Sequence, residues 1–269
     1  MNINFSKYQS AGNDFVIVSN VAISKEQIIK ICNRKFGIGS DGLIIVNKDS
    51  DKGFKLTFYN PDGSGDTLCG NGSLCSVDYA LKNLNIIGNG FNASDGNHKF
   101  QILNDNFYKI SVRDCLLPTK LQLPNYDNPN KINFRDNFGF FINTGSPHFV
   151  IFCNELTSNE LMPTAKEFRR IINANNGGCN VDFVRVINDS CLQIRTFERG
   201  VEAETLSCGT GSIAAAITFA FSNNLSKCSI QMNNKGGMHF VNLTKKDDAF
   251  KDIWLIGKPE LTFKGIIDI

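Results

Sequence analysis

The sequence predicts an α+β protein built as two similar halves, each arranged around a buried central helix. Three observations carry this expectation. A short cysteine loop occurs twice, as Leu68-Cys69-Gly70-Asn71-Gly72 and as Ser207-Cys208-Gly209-Thr210-Gly211, each after an acid-Thr-Leu tripeptide (Asp66-Thr67-Leu68 and Glu204-Thr205-Leu206). Each loop opens onto an apolar stretch that reads as a helix, Ser73 to Leu84 and Ser212 to Phe221. The second is apolar on most faces, which is the pattern of a helix with no solvent side. Finally, Gly12-Asn13-Asp14-Phe15-Val16-Ile17 resembles Gly145-Ser146-Pro147-His148-Phe149-Val150-Ile151 with one residue inserted, and each copy precedes its cysteine loop. Matching order in both halves is the mark of an internal duplication.

The other elements alternate irregularly, with frequent hairpins. A helix is expected to start at Ser24, where Gln27 completes a capping box, with Gly37 just past its end. Phe54 to Tyr59 alternates like a half-buried strand. Phe100 to Leu103 and Tyr108 to Val112 flank the turn composition of Asn104-Asp105-Asn106, and Phe183 to Ile187 and Leu192 to Phe197 flank Asn188-Asp189-Ser190 in the same way. Met238 to Leu243 and Ile253 to Ile256 flank a Lys/Asp loop. A further helix is expected over about 164–174, with Pro163 tolerated in its first turn. The stretch Pro118 to Pro129, with Pro124 between, reads as a linker. This places 1–118 in the N-terminal half and 119–255 in the C-terminal half, with a last strand at about 256–269 returning to the first.

The 269 residues suffice for two domains of ordinary size, and 42% hydrophobic with 20% charged residues describes a globular chain. A net charge of +2, with no basic run longer than Lys245-Lys246 or Arg169-Arg170, argues against nucleic acid or a membrane surface as partner. Met1-Asn2-Ile3-Asn4-Phe5 lacks the basic-then-apolar order of a secretory signal. The longest apolar stretch, Ile213 to Phe221, is about half the ~20 residues of a membrane span. The expected location is cytoplasmic. The nine cysteines are an odd number without close pairs, which argues against a disulfide framework. With no Cys-x-x-Cys and no ligand spacing among His98, His148 and His239, no structural metal is expected. Cys32, Cys75, Cys115, Cys153, Cys179, Cys191 and Cys228 are expected to be small buried hydrophobes.

Cys69 and Cys208 differ from these. A cysteine just ahead of a buried helix sits at the positive end of the helix dipole. Unpaired backbone N–H groups there favour a thiolate, lowering a pKa that is about 8.5 in free cysteine. Gly70, Gly72, Gly209 and Gly211 allow tight turns and close approach of backbone to a ligand. The same N–H groups can hold a substrate carboxylate. Two such loops supply what a cofactor-free inversion of a carbon centre needs. One sulfur takes a proton from one face, the other gives a proton to the opposite face, and the titrations of the pair are coupled.

Gly12-Asn13-Asp14-Phe15, Gly37-Ile38-Gly39-Ser40-Asp41-Gly42, Asn60-Pro61-Asp62-Gly63-Ser64, Cys69-Gly70-Asn71-Gly72, Gly145-Ser146-Pro147-His148, Glu198-Arg199-Gly200 and the run from Glu204 to Gly211 together resemble the diaminopimelate epimerase family over nearly the whole chain. The resemblance implies two pseudo-symmetric domains, each a mixed sheet or barrel curled around its central helix. It implies interconversion of LL- and meso-2,6-diaminopimelate, without pyridoxal phosphate or metal, on the route to lysine and peptidoglycan, by a homodimer. It implies Cys69 and Cys208 as the acid–base pair, with Cys208 the base when the LL isomer is the substrate, and His148 and Glu198 as groups that tune the thiols. Taken alone, His148 reads equally well as a structural histidine and Glu198 beside Arg199 as a surface pair; the motif context assigns both to the site. Arg199 suits a bidentate grip on the distal carboxylate. Asn13, Asn60 and Asn180 can each donate and accept, as the substrate's charged ends require, and Glu198 joins them in binding. Gly70, Asn71, Gly209 and Thr210 would hold the carboxylate at the reacting end. Three departures stand out: Ser146 where many relatives have Asn, Gly42 where some have glutamine, and one extra residue in Val201-Glu202-Ala203. Other readings remain open at this point: a two-cysteine racemase of proline or hydroxyproline, a binding protein that kept the fold, and a thiol-redox enzyme, for which no resolving cysteine lies close in sequence.

Overall fold

The computed structural model describes residues 2–50, 53–65, 68–123 and 132–269; Asp66, Thr67 and residues 124–129 of the expected linker lie outside them. The chain divides into two units, Met1–Ser111 with Ile256–Ile269, and Val112–Leu255.

In the first unit, β1 (Asn2–Ser10) and β2 (Asn13–Val18) form a hairpin with Ser10 opposite Asn13. Ala11 and Gly12 close it at φ 49° and 84°, the two positive angles that a two-residue turn between twisted strands demands. Helix α1 (Lys25–Cys32) starts as expected: Gln27 N–H donates to Ser24 Oγ at 3.3 Å and Ser24 N–H donates to Gln27 Oε1 at 2.8 Å. It ends sooner than expected, with Asn33 as its C-cap. Gly37 has a different use, because the chain folds back over the helix end and a Cβ there would strike the Lys30 carbonyl. Strand β3 (Gly42–Ser50) lies parallel to β2, and β4 (Gly53–Tyr59) returns antiparallel. Then follow α2 (Gly70–Asn83), β5 (Gly90–Ala93) parallel to β4, β6 (Gly96–Ile102) and β7 (Tyr108–Ser111).

The second unit opens with β8 (Cys115–Leu116) and β9 (Thr119–Gln122) and then repeats the order. Strands β10 (Phe138–Asn143) and β11 (Pro147–Phe152) form a hairpin, now with three residues between them. Helix α3 (Leu161–Ile171) leads to β12 (Asn180–Asn188), parallel to β11, and β13 (Cys191–Glu198) returns antiparallel. After β14 (Ala203–Thr205) come α4 (Gly209–Ser222), β15 (Lys227–Asn234) parallel to β13, β16 (Gly237–Lys246), and β17 (Ala249–Gly257). Both units therefore connect hairpin, helix, parallel strand, antiparallel return, cysteine-capped helix and parallel strand in the same sequence. Strand β18 (Pro259–Asp268) then pairs along all of β1, from Asn2 opposite Asp268 to Ser10 opposite Pro259.

Other helix boundaries also differ from the sequence expectation. Helix α3 begins three residues early, at Leu161, and tolerates Pro163 because first-turn N–H groups need no helical partner. It stops before Ala174, since Asn173 takes φ 57° and turns the chain left-handed. The central helices also begin earlier than Ser73 and Ser212, because the cysteine itself is the N-cap in each.

Each central helix is wrapped by strands. Helix α2 touches β1, β2, β3, β4, β7 and β18; α4 touches β10, β11, β12, β13, β15 and β16. Every residue of α2 from Gly70 to Ala80 is buried, and every residue of α4 through Ala220. Ala214, Ala215, Ala216 and Ala220 let strands approach α4 closely. Ile213, Ile217 and Phe219 fill the space between, each burial stabilising by about 1.5–3 kcal/mol. The opposite faces of the strands are covered too. Val16, Val18 and Leu43 pack with Ile28 and Ile31 of α1, and Phe149, Ile151 and Phe183 pack with Leu161 and Phe168 of α3. Strands covered on both faces read as continuous apolar runs. Of the seven cysteines expected in the core, Cys32, Cys75, Cys115, Cys153 and Cys179 are buried. Cys191 and Cys228 are only half-buried, because they lie near the outward ends of β13 and β15. Among the described residues, no helix is long and apolar enough to cross a membrane.

Candidate active site

The two cysteine loops are built alike. Cys69 caps α2 at φ −104°, ψ 114°, and Cys208 caps α4 at φ −129°, ψ 117°. In each, the N–H three residues on donates to the sulfur at 3.4 Å, from Gly72 to Cys69 and from Gly211 to Cys208. None of the four loop glycines is left-handed, so their use is close approach rather than turning. A Cβ on Gly72 would lie 2.9 Å from Ile44 Cδ1, and one on Gly211 would lie 2.7 Å from Asp182 Oδ1.

In the first unit, Asn13 opens β2 and donates from Nδ2 to Asp41 Oδ2 at 2.7 Å. That bond turns its Oδ1 toward Cys69 Sγ at 3.8 Å and Asn71 Nδ2 at 3.4 Å. Arg34 holds Asp41 and Asp14 together at 2.7 Å each, and Lys7 reaches Asp14 at 2.6 Å. Burial works to raise the Asp14 pKa, but Arg34 and Lys7 outweigh it and hold the carboxyl below its usual range. Asn60 ends β4 in a turn, its N–H donating to Ser64 O at 2.7 Å and its Nδ2 to Ser64 Oγ at 3.0 Å. A Cβ on Gly42 would come 2.5 Å from the Phe58 ring, so no side chain fits there unless Phe58 moves.

In the second unit, strand alternation turns Phe149 toward α3 and His148 toward α4. His148 is fully buried. Its Nδ1 lies 2.7 Å from Asp182 Oδ2. Its Nε2 lies 3.0 Å from both Thr210 Oγ1 and Ser146 Oγ, and 3.2 Å from Asn180 Nδ2. Thr210 Oγ1 is in turn 3.3 Å from Cys208 Sγ. Ser146 also reaches Thr210 Oγ1 at 3.1 Å, so the shorter serine makes its contacts directly. Asn180 Oδ1 accepts from Arg199 N–H at 2.8 Å, which leaves both ends of its amide engaged within the protein. The Arg199 guanidinium donates weakly to the Asn176 and Gly178 carbonyls, at 3.3 and 3.4 Å. Glu198 Oε1 accepts from Thr205 Oγ1 at 2.8 Å. The extra residue is absorbed by a turn in which Glu202 takes φ 58°.

The electrostatics reverse one sequence expectation. Burial, joined by the negative charges of Glu198 and Asp182, pushes the Cys208 thiol well up, against the Thr210 hydroxyl and the Gly211 N–H. Burial likewise raises Glu198 despite the hydrogen bond it accepts from Thr205. The helix terminus is present but is outweighed. Asp182 is a residue that the sequence reading missed. Its signal was a carboxylate inside the apolar run Val181-Asp182-Phe183-Val184. Among the described residues, no three His, Cys, Asp or Glu side chains converge as a metal would require.

The family model described as diaminopimelate epimerase matches residues 5–106 and 140–262. The chain belongs to the diaminopimelate epimerase family. It is 37% identical over 268 residues to the diaminopimelate epimerase of Flavobacterium psychrophilum, covering 97% of this chain and 98% of that protein. It is 32% identical over 279 residues to that of Aquifex aeolicus, covering 97% and 96%. This relationship makes the chain an enzyme of the racemase and epimerase class. Solved structures share the two-domain α+β fold at low identity. A phenazine biosynthesis protein of the PhzF family from Bacillus anthracis matches with TM-score 0.75 at 12% identity over the whole of both chains. A hydroxyproline epimerase from Agrobacterium vitis, solved with trans-4-hydroxy-L-proline, matches with TM-score 0.71 at 12% identity over 99% of this chain and 92% of that one. At such identities the likeness is one of fold alone.

Proposed function

We propose that the chain interconverts LL- and meso-2,6-diaminopimelate by moving a proton at the α-carbon between Cys208 and Cys69. With the LL isomer as substrate, the Cys208 thiolate removes the proton and the Cys69 thiol returns one to the opposite face; the roles exchange in reverse. One observation carries the reading: the same device, a cysteine N-cap on a buried helix with a glycine N–H at its sulfur, occurs once in each unit of a chain from this family. Burial that makes the Cys208 thiolate harder to form also makes it a stronger base once formed, which an α-proton of low acidity requires. The first-turn N–H groups of both helices, around Gly70, Asn71, Gly209 and Thr210, bind the reacting carboxylate. Arg199 takes the distal carboxylate, with Asn13, Asn60, Asn180 and Glu198 around the substrate's charged ends. His148 and Glu198 adjust the protonation of Cys208. The reaction needs neither pyridoxal phosphate nor metal. It serves lysine and peptidoglycan precursor synthesis in the cytoplasm, and the enzyme works as a homodimer.

The test is proton NMR of LL-diaminopimelate with reduced protein in heavy water. Loss of the α-proton signal with growth of the meso isomer is expected, and Cys69→Ala and Cys208→Ala each abolish it. No exchange would remove the reading, and exchange on hydroxyproline alone would replace it with a racemase of cyclic amino acids.

A further inference from the structure

We infer that Asp182 is a positioning residue for the Cys208 site: it keeps a proton on His148 Nδ1, so that the Nε2 lone pair faces the Thr210 hydroxyl that bridges to Cys208. This rests on the reading of Cys208 as a base. Asp182 is the third residue of β12 and has no exposed surface. A carboxylate in such a place is costly unless each of its oxygens is met by a donor. Thr196 Oγ1 donates to Oδ1 at 2.7 Å, and His148 Nδ1 meets Oδ2 at 2.7 Å. An ionised carboxylate only accepts, so Nδ1 carries the hydrogen.

The other ring nitrogen gives the same answer independently. The Asn180 amide is oriented by Arg199, whose N–H can only donate and therefore faces Oδ1, at 2.8 Å. That leaves Nδ2, a donor, 3.2 Å from His148 Nε2. Two donors cannot face each other, so Nε2 presents its lone pair. The Ser146 and Thr210 hydroxyls both face that lone pair at 3.0 Å; of the two, only Thr210 also meets Cys208 Sγ, at 3.3 Å, so it is the one that can donate to Nε2 while its oxygen accepts from Cys208.

Activation of Cys208 follows without any added reactant. The S–H bond breaks as its proton bonds to Thr210 Oγ1. The hydrogen already on Thr210 leaves for Nε2, and the products are a thiolate and an imidazolium. Asp182 then faces a full positive charge. With the opposite tautomer, Nε2 would already bear a hydrogen and the transfer would have no acceptor. Wrong-tautomer variants of this kind lose catalysis without losing geometry.

The experiment is nitrogen-15 NMR of the reduced, histidine-labelled full chain at neutral pH, with three ring systems to resolve and His148→Gln to assign one of them. The wild-type His148 ring is expected to show a protonated Nδ1 and a bare Nε2. In Asp182→Asn, the Nδ1 proton is no longer fixed, and kcat for diaminopimelate falls by at least about ten-fold while KM stays within about two-fold. Thr196→Val keeps the carboxylate and is expected to keep the tautomer. A wild-type ring protonated at Nε2 overturns the inference without any variant. So does an Asp182→Asn enzyme that folds and keeps both tautomer and kcat. The ring signals do not depend on diaminopimelate being the substrate, so loss of that reading would be seen separately.

Discussion

Gly72→Ala and Gly211→Ala make the same chemical change at equivalent places in the two loops, and the structure separates their outcomes. Each position lies in the first turn of a central helix, where alanine in place of glycine is worth up to about 1 kcal/mol. At Gly72 the new methyl meets Ile44 Cδ1 at 2.9 Å, the free end of a side chain that can rotate, and lies 3.4 Å from Cys69 Cβ. The two effects nearly cancel. At Gly211 the methyl meets Asp182 Oδ1 at 2.7 Å, with Cys208 Cβ at 3.2 Å and Thr196 Oγ1 at 3.3 Å. The carboxylate cannot step aside, because Thr196 and His148 hold both oxygens. Overpacking of this kind costs about 1–3 kcal/mol, and disturbing a hydrogen bond to a buried charge about 1.5–3 kcal/mol. Less the gain in helix propensity, Gly211→Ala is expected to lose about 1.5–5 kcal/mol, against less than about 1 kcal/mol for Gly72→Ala. It is also expected to lower kcat, since Asp182 and Cys208 are both pushed. Urea unfolding read as a shift in midpoint at constant slope measures the first, and turnover the second. A Gly211→Ala protein as stable and as active as Gly72→Ala would refute the reasoning.

Arg199→Lys exchanges a planar fork for a point charge, so KM for diaminopimelate is expected to rise about ten-fold with little change in kcat; an unchanged KM in steady-state kinetics would remove Arg199 from the binding role. Cys208 is expected to react with iodoacetamide at pH 8 more slowly than a free thiol, since burial raises its pKa, and a faster reaction followed by peptide mass analysis would contradict this. Burial pushes Cys153 and Cys179 to about 12, and Cys115 and Cys228 to about 11. The folded state keeps these protons where the unfolded chain releases them, so their contribution is complete below pH about 8.5 and is lost as pH climbs toward the folded values. Each such thiol adds about 1.4 kcal/mol per pH unit to the alkaline slope. Cys153→Ala should therefore flatten the fall of the urea midpoint between pH 9 and 11, and an identical slope would count against it.

Much of this architecture is legible because its causes are local. A glycine-rich turn ahead of an apolar run marks both central helices, and Asn104-Asp105-Asn106 and Asn188-Asp189-Ser190 mark hairpins by their own composition. The capping box at Ser24 depends on residues three apart and is read correctly. The helix starts are misplaced by three residues because cysteine is outside the usual set of N-caps. What is not local stays hidden. Nothing near Asp182 in sequence reveals that a parallel strand brings a histidine onto it. Strand pairing likewise brings the Asn180 amide against Arg199, Ser146 and His148, contacts that its own sequence neighbourhood does not reveal. A helix start predicts a lowered thiol pKa, and only the packed surroundings reveal that burial and two carboxylates push Cys208 the other way.

The parallel pairing of β11 with β12 has an evolutionary consequence. His148 lies opposite Asn180, and Asp182 follows two residues later on the same face. Sliding β12 by one position would present Val181 and Phe183 instead, since neighbouring side chains point to opposite faces. The crossover between the strands, which carries α3, can gain or lose residues without touching that alignment. A single insertion or deletion within 148–152 or 180–184 cannot. Changes in chain length among descendants of this gene should thus collect in the arm holding α3 and be absent from these two short segments.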